Sequence, residues 1–486
     1  MSKDILNLEP KAIWTNFYKI TQIPRPSKKE GQIIKFMEEW GKNLGLDTFV
    51  DQVGNIIIKK PATPGMEDRK AVVLQGHLDM VPQKNSDIKH DFETDPIDAY
   101  IDGDWVTARG TTLGADNGIG DAATMSVLES KELKHGPIIG LFTIDEETGM
   151  TGAFGLKPNL IDADILINLD SEDEGELYVG CAGGTNANMK FNYSETNVPS
   201  DVKAFKISVA GLKGGHSGVD IKLERGNSNK ILIRFLKYAV KNYGLRLSSI
   251  EGGSLRNAIP REAFAIVTIP KENEKNFVDK VLEFENIFKK ELSVVEPNLS
   301  FKVQSTDMPA SLIDEKTQNN MINAVYGCPN GVIRMSDTMP GLVETSTSLA
   351  LVKSDNGEIA VQCLLRSSVD TAKEDLVEMM GSIFELAGAE VDFSGTYPGW
   401  KPNVNSSILT QSKEVYNNMF GKIPDIKAIH AGLECGLLGG TYPNWDMISF
   451  GPTICYPHSP DEKVNIESVD KFWKFLTQLL KEIPKK

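Results

Sequence analysis

A few residues stand out for the chemistry they can do together. "LQGHLDMV" carries His77 and Asp79, "TLGADNGIGDAA" carries Asp116, "IDEETG" carries Glu146 and Glu147, and "INLDSED" carries Asp170. One imidazole with several carboxylates is a hard-to-borderline donor set, suited to zinc, cobalt or manganese more than to copper or an iron–sulfur cluster. The stretch "LFTIDEETGM" (141–150) sharpens the point, because an apolar run drives into three consecutive acids, Asp145, Glu146 and Glu147. Such carboxylates repel at neutral pH, and burying even one unpaired is expensive. Either the strand emerges into water there, or something strongly positive waits at its end.

The elements that must hold these residues are legible around them. Short apolar strands are expected at 55–60, 71–81, 138–147 and 163–170, with a helix over "GDAATMSVLESKEL" between two of them. An earlier helix, "SKKEGQIIKFMEEWGKNLGL", offers a capping box of Ser27 and Glu30, then a stripe of Ile33, Phe36, Met37, Trp40 and Leu44. Strands alternating with helices predict a mostly parallel sheet covered on both faces. In such sheets ligands gather outside the carboxyl ends of the strands, where His77, Asp79, Glu146, Glu147 and Asp170 fall. Singly, each has a plainer reading. Asp116 suits a helix N-cap, Asp170 a solvated strand end, and the acid run an exposed edge. Their occurrence in order on successive strand ends is what points to one cleft.

From about residue 186 the pattern changes. "AFKISVAG" (204–211) alternates with period two, further strands are expected at 263–270 and 358–368, and helices at 228–243, 274–292 and 372–388. This α+β segment ends near "GTYPGWKPN" (395–403), a Gly- and Pro-containing linker, after which a strand-like "WDMISFGP" and a terminal helix restore the α/β pattern. The fold class is therefore α/β: a mostly parallel mixed sheet flanked by helices, from residues 1–185 plus 397–486, with an inserted α+β domain at 186–396.

Bulk composition bounds the function without choosing it. The 486 residues exceed one ordinary core, and 40% hydrophobic with 24% charged residues describes a soluble globular chain. A net charge of −15 argues against binding nucleic acid through its phosphates. No run approaches membrane-spanning length, and the N-terminus lacks a signal peptide's apolar core. Five scattered cysteines without a C-x-x-C read as reduced thiols of a cytoplasmic protein.

Taken together, "GHLDMV", "GADNGIG", "DEETG", "NLD" and the late "PHSPDE" resemble the zinc aminopeptidase and aminoacylase superfamily that includes carboxypeptidase G and succinyl-diaminopimelate desuccinylase. Within it, "ARGTTLGADNGIG" and "HAGLECGLL" resemble the aminoacyl-histidine (cytosol non-specific) dipeptidase family. Asn117 after Asp116 favours that branch, and the resemblance runs from about residue 20 to 465. It implies two Zn²⁺ per chain, with Co²⁺ or Mn²⁺ as substitutes. His77 and Asp170 would hold one ion, Glu147 and His458 the other, and Asp116 both. Asp79 would hydrogen-bond the far nitrogen of His77, and Glu146 would be the general base. Adjacent residues on a strand point to opposite sides, so Glu146 and Glu147 are expected to do different work. Which does which comes from the resemblance. Four positive charges would also answer the acid run.

The implied reaction is hydrolysis of dipeptides with a free N-terminus, Xaa-His substrates such as carnosine included. The resemblance gives the inserted domain the part of a lid, with His216 ("GLKGGHSG") as an oxyanion donor, Asn257 as a substrate contact and Arg366 ("LLRSS") gripping the substrate carboxylate. His430, in "HAGLECG", is expected to line the substrate pocket. Hinges are then expected near 185 and 397, and the lid is long enough to carry a homodimer interface. His90 and His135 read as structural or solvated. Two rival readings are an N-acyl amino acid deacylase on the same scaffold and a non-catalytic binding module. The latter predicts eroded ligand positions, whereas all are chemically intact here.

Overall fold

The computed structural model describes residues 3–486, which divide into two compact units. Of the described residues, the first comprises those up to 180, 402–428 and 433–486, and the second 181–401 with 429–432. The chain thus changes unit at 180/181 and 401/402 rather than at 185/186 and 396/397, and the four residues around His430 belong with the second unit.

In the first unit, an eight-stranded sheet runs in the order Asp47–Val50, Ile56–Lys60, Ile138–Thr143, Val72–His77, Ile165–Asn168, Asp446–Ser449, Glu176–Cys181, Asp425–Ile429. The four strands from Ile138–Thr143 to Asp446–Ser449 are parallel, while Ile56–Lys60 pairs antiparallel with Ile138–Thr143 and Glu176–Cys181 with Asp446–Ser449. The parallel strands 72–77, 138–143 and 165–168 are buried at every position. Full burial is why they read as continuous apolar runs. Their carboxyl ends therefore line up on one side of the sheet, and the helix Ala115–Glu129 starts beside them. A separate four-stranded sheet (Ile454–Cys455, Lys463–Asn465, Trp105–Ala108, Ala99–Asp102) brackets the loop that carries His458.

The expected capping box at Ser27 is not formed. The helix begins at Gly31, Glu30 accepts from the Lys28 N–H at 2.8 Å, and the Ser27 hydroxyl is taken by Asp79 at 2.8 Å. Leu44, assigned to the stripe, lies beyond the last helical turn and is exposed.

The second unit is a nine-stranded antiparallel sheet with the helices Ser228–Tyr243, Glu274–Glu291, Glu315–Gly327 and Asp370–Leu386. One apolar cluster joins sheet and helices, and the Phe235 ring meets Phe277, Phe284 and Phe301 within it. The helix Ser228–Tyr243 is bounded as its sequence asks: the Asn227 side chain accepts from the Lys230 N–H, and Gly244 closes the far end at φ 63°.

Among the described residues, no helix is long and apolar enough to cross a membrane.

Candidate metal centre

At the carboxyl ends of the parallel strands the expected residues come together in two groups. In the first, His77 Nε2 lies 3.1 Å from Asp116 Oδ1 and 3.3 Å from Asp170 Oδ1. In the second, His458 Nε2 lies 3.2 Å from Asp116 Oδ2 and 3.0 Å from Glu147 Oε2. Asp116 belongs to both, one oxygen to each.

The donor set fits cations better than it fits itself. A single ring N–H cannot point at two oxygens, yet each imidazole nitrogen faces two carboxylates. A Zn²⁺ with bonds of about 2.0 Å places tetrahedral ligands about 3.3 Å apart, close to these separations. Glu147 Oε1 is buried without a hydrogen-bond partner among the described residues. Electrostatics agree. Burial opposes charge on His77, but Asp170, Asp116 and Asp79 outweigh it and hold its pKa well above the ordinary value. His458 is raised to about 11 by hydrogen bonds to Asp116 and Glu147, and burial lifts Asp170 to about 6. Such shifts mark a site that demands positive charge.

Local folding explains how the ligands are aimed. Asp79 is fully buried, and its backbone carbonyl lies 3.1 Å from His77 Nδ1, with its carboxylate at 3.4 Å. A proton on Nδ1 leaves the Nε2 lone pair facing the two aspartates. The Asp79 carboxylate also accepts from the Glu146 N–H at 3.0 Å and the Glu147 N–H at 3.3 Å. That contact corrects the expectation for the acid pair. The strand stops at Thr143, and Asp145, at φ 54°, turns the chain, so strand alternation does not separate Glu146 from Glu147. A tight turn pinned by Asp79 sets both directions. Asp145 itself accepts from the hydroxyls of Thr148 and Thr151. Asp116 is not a plain N-cap either, since it sits inside the first turn of its helix with non-helical φ −82° and ψ 109°.

Three of the four residues expected to bind substrate converge within the second unit. A Cβ on Gly218 would meet the His430 carbonyl, Arg366 Nε and His216 Cε1, so only glycine lets the three approach. Arg366 is 4% exposed, donates to the Tyr397 hydroxyl at 3.3 Å, and keeps Nε without a hydrogen-bond partner among the described residues. His216 Nδ1 accepts from the N–H groups of Gly218 and Val219 at 3.1 and 3.0 Å. Burial, then the Arg366 charge, lowers its pKa, so the neutral ring carries its proton on Nε2 as a donor. Asn257 differs: its carbonyl accepts from the Ser217 N–H, while the residue is exposed.

His430 Nε2 pairs with the Ser346 hydroxyl at 2.7 Å. Burial, reinforced by Arg366, pushes its pKa down to about 3. Below pH 6.5 the unfolded chain therefore binds a proton that the folded chain refuses, and stability falls with pH down to that folded value. Between pH 6.5 and 5 this costs about 2 kcal/mol. His430→Gln should lose less stability than the parent over that interval, by about that amount, in urea unfolding at pH 7.5 and 5.0. Parallel losses would contradict a buried neutral ring.

Several residues near the centre carry no signal in the sequence reading. Glu434, four residues after His430 in "HAGLECG", is fully buried and accepts from Gln75 Nε2 and the Thr143 hydroxyl, both at 2.6 Å. Burial raises its pKa to about 8. Gln75 in turn accepts from Asn168 at 2.6 Å, so residues two places before His77 and Asp170 are tied under the ligands. Arg25 and Glu462, both buried, flank the Asp116 loop. An arginine in "IPRPS" and an acid ending "HSPDE" read as solvated loop charges, and only long-range packing reveals otherwise.

The family model described as Peptidase family M20/M25/M40 matches residues 73–482. The cytosol non-specific dipeptidase of Escherichia coli (strain K12) is 48% identical over 483 residues, 99% of this chain and 100% of that protein. The crystal structure of aminoacylhistidine dipeptidase from Vibrio alginolyticus matches with a TM-score of 0.94 at 49% identity, covering 99% of this chain and 98% of that one. A Staphylococcus aureus tripeptidase shares the fold at a TM-score of 0.57 and 16% identity, over 98% and 99% of the two chains. The chain belongs to peptidase family M20/M25/M40.

Proposed function

We propose that this chain is a cytoplasmic dipeptidase of broad preference, acting on dipeptides with a free N-terminus, Xaa-His substrates included, and holding two Zn²⁺ ions. The observation that carries the reading is Asp116, whose two oxygens serve two separate imidazole–carboxylate groups. His77 and Asp170 would complete one ion's ligands, and His458 with Glu147 the other's. When bound, the ions supply the Lewis acidity that acidifies an attacking water and polarises the scissile carbonyl.

The protein's own groups do the rest. Asp79 keeps His77 in the tautomer that leaves Nε2 unprotonated. Glu146 takes the proton from the attacking water and returns it to the leaving amine as the tetrahedral carbon collapses. His216 donates from Nε2 to the developing oxyanion. Arg366, with Nε unengaged, holds the substrate's terminal carboxylate, and His430 and Asn257 add to the substrate's surroundings.

A panel of dipeptides, N-acetyl amino acids and dipeptide amides, run before and after chelation, tests the reading. Dipeptides should turn over, chelation should stop them, and Zn²⁺, Co²⁺ or Mn²⁺ should restore them. Preference for N-acetyl amino acids would instead make the chain a deacylase. Arg366→Lys should raise KM for dipeptides about 10–100-fold with kcat little changed, because charged hydrogen bonds of about 1.5–3 kcal/mol are made to the ground state as well. An equal effect on dipeptide amides would remove Arg366 from carboxylate recognition.

A further inference from the structure

The Asp116 loop is gripped from two sides by charges that touch no expected ligand side chain. The carboxylate of Glu462 accepts four successive backbone N–H groups: Leu113 at 2.8 Å and Gly114 at 2.9 Å on one oxygen, Ala115 at 2.7 Å and Asp116 at 3.2 Å on the other. Arg25 donates from Nη2 to the Gly114 carbonyl at 2.5 Å, and from Nη1 to the carbonyls of Leu78 and Asp79, both at 2.9 Å. Both side chains are 2% exposed. Gly114 between them stands at φ 70°, and a Cβ there would lie 2.6 Å from Arg25 Nη2 and 2.9 Å from Met80 Sδ.

These contacts join three separate ligand-bearing segments. Arg25 holds the backbone just after His77 and the backbone just before Asp116. Glu462 holds that same loop from the turn that carries His458, where its own N–H donates to the Ser459 carbonyl at 3.0 Å. We propose that Arg25 and Glu462, acting through the peptide groups of Gly114, form a clamp that positions Asp116 to offer one oxygen to each cation. They are positioning residues, and the inference rests on the two-cation reading above.

The physical case lies in the count and direction of donors. A carboxylate has about four lone-pair sites, and Glu462 spends them on four adjacent N–H groups, fixing the rotation of each peptide plane up to Asp116 itself. Asp116 holds a non-helical backbone inside a helical turn, so the helix's own bonding does not set its direction. An amide in place of Glu462 would keep one acceptor oxygen and turn an NH₂ group toward two N–H donors. The loop would then have to rotate, carrying the Asp116 oxygens away from one or both groups.

The test is direct titration of Zn²⁺ into metal-stripped full-length protein at 25 °C, by competition with a chromophoric chelator, for the parent, Glu462→Gln and Gly114→Ala. Outer contacts of metal ligands typically change metal affinity by about 10–100-fold. Both variants should weaken binding by that factor while their far-UV circular dichroism matches the parent. At saturating Zn²⁺, kcat should remain reduced with KM near the parent value. A purely structural role would lower the melting temperature and leave the affinity of the folded protein unchanged. Parent affinity in either folded variant overturns the clamp. Failure of the parent itself to bind Zn²⁺ overturns the metal reading instead, and the clamp with it.

Discussion

Glu146→Gln should lower kcat by roughly 10²–10⁴-fold, the usual worth of a positioned general base, while the purified protein still takes up its full complement of cations. The geometry demands this test, because Glu146 also lies in a three-residue group with His77 and Glu147 whose atoms fall within 4.8 Å of one another. Proximity alone would permit it to be a ligand. Contacts separate the two acids: Glu147 Oε2 is 3.0 Å from His458 Nε2, and no such imidazole contact involves Glu146 among the described residues. Burial, with Asp170, Glu434 and Glu147 nearby, lifts the Glu146 pKa well above the ordinary carboxyl range, and cations alongside would draw it back toward neutrality. Gln keeps the shape and the turn pinned by Asp79 but accepts no proton. Metal per chain by mass spectrometry, set beside kcat, checks it. Retained activity would strip Glu146 of its role. Loss of a cation in Glu146→Gln, with cations kept in Glu147→Gln, would exchange the roles of the two acids.

That exchange is open to test because the sequence argument for dividing the pair rested on a strand that does not extend so far. The apolar run 138–143 is legible because full burial in a parallel sheet demands it. Its end is not, because Asp145 adopts a left-handed conformation no composition signal announces. Four of the five proposed ligand positions were readable for a different reason. They lie at or just past strand ends or at a helix start, where topology rather than local propensity puts chemistry, whereas His458, in the loop between Ile454–Cys455 and Lys463–Asn465, came from the resemblance alone. The strand Val343–Asp355 shows the opposite case. Its first half, "VETSTS", is buried yet rich in hydroxyls, and Ser346 and Thr345 find partners in His430 and Ser367 only after folding. Period-two hydropathy fails when polar groups are buried in pairs. Arg25, Glu434 and Glu462 were missed on the same physics, since a charge that will be satisfied by distant backbone or side chains looks in one dimension like a charge in water.

Asp116→Asn tests the shared ligand, and its expected effect exceeds that of losing either histidine. The two oxygens of Asp116 serve different groups, Oδ1 toward His77 and Oδ2 toward His458. An amide keeps one oxygen and presents an NH₂ group where the other stood, so one group loses an acceptor and gains a donor aimed at its centre. The cluster also loses one of three ligand carboxylates, and with it part of the negative charge that offsets two dications. Cation content should fall from two per chain to one or fewer. Activity should drop roughly 10³-fold or more, since a Lewis acid contributes several kcal/mol at 1.36 kcal/mol per decade. His458→Ala makes the informative contrast. It removes a half-exposed ring from the second group and leaves His77, Asp116 and Asp170 intact, so one cation should stay bound at near-parent affinity. Two cations retained in Asp116→Asn, by mass spectrometry on dialysed protein, would show that the two groups do not share a ligand.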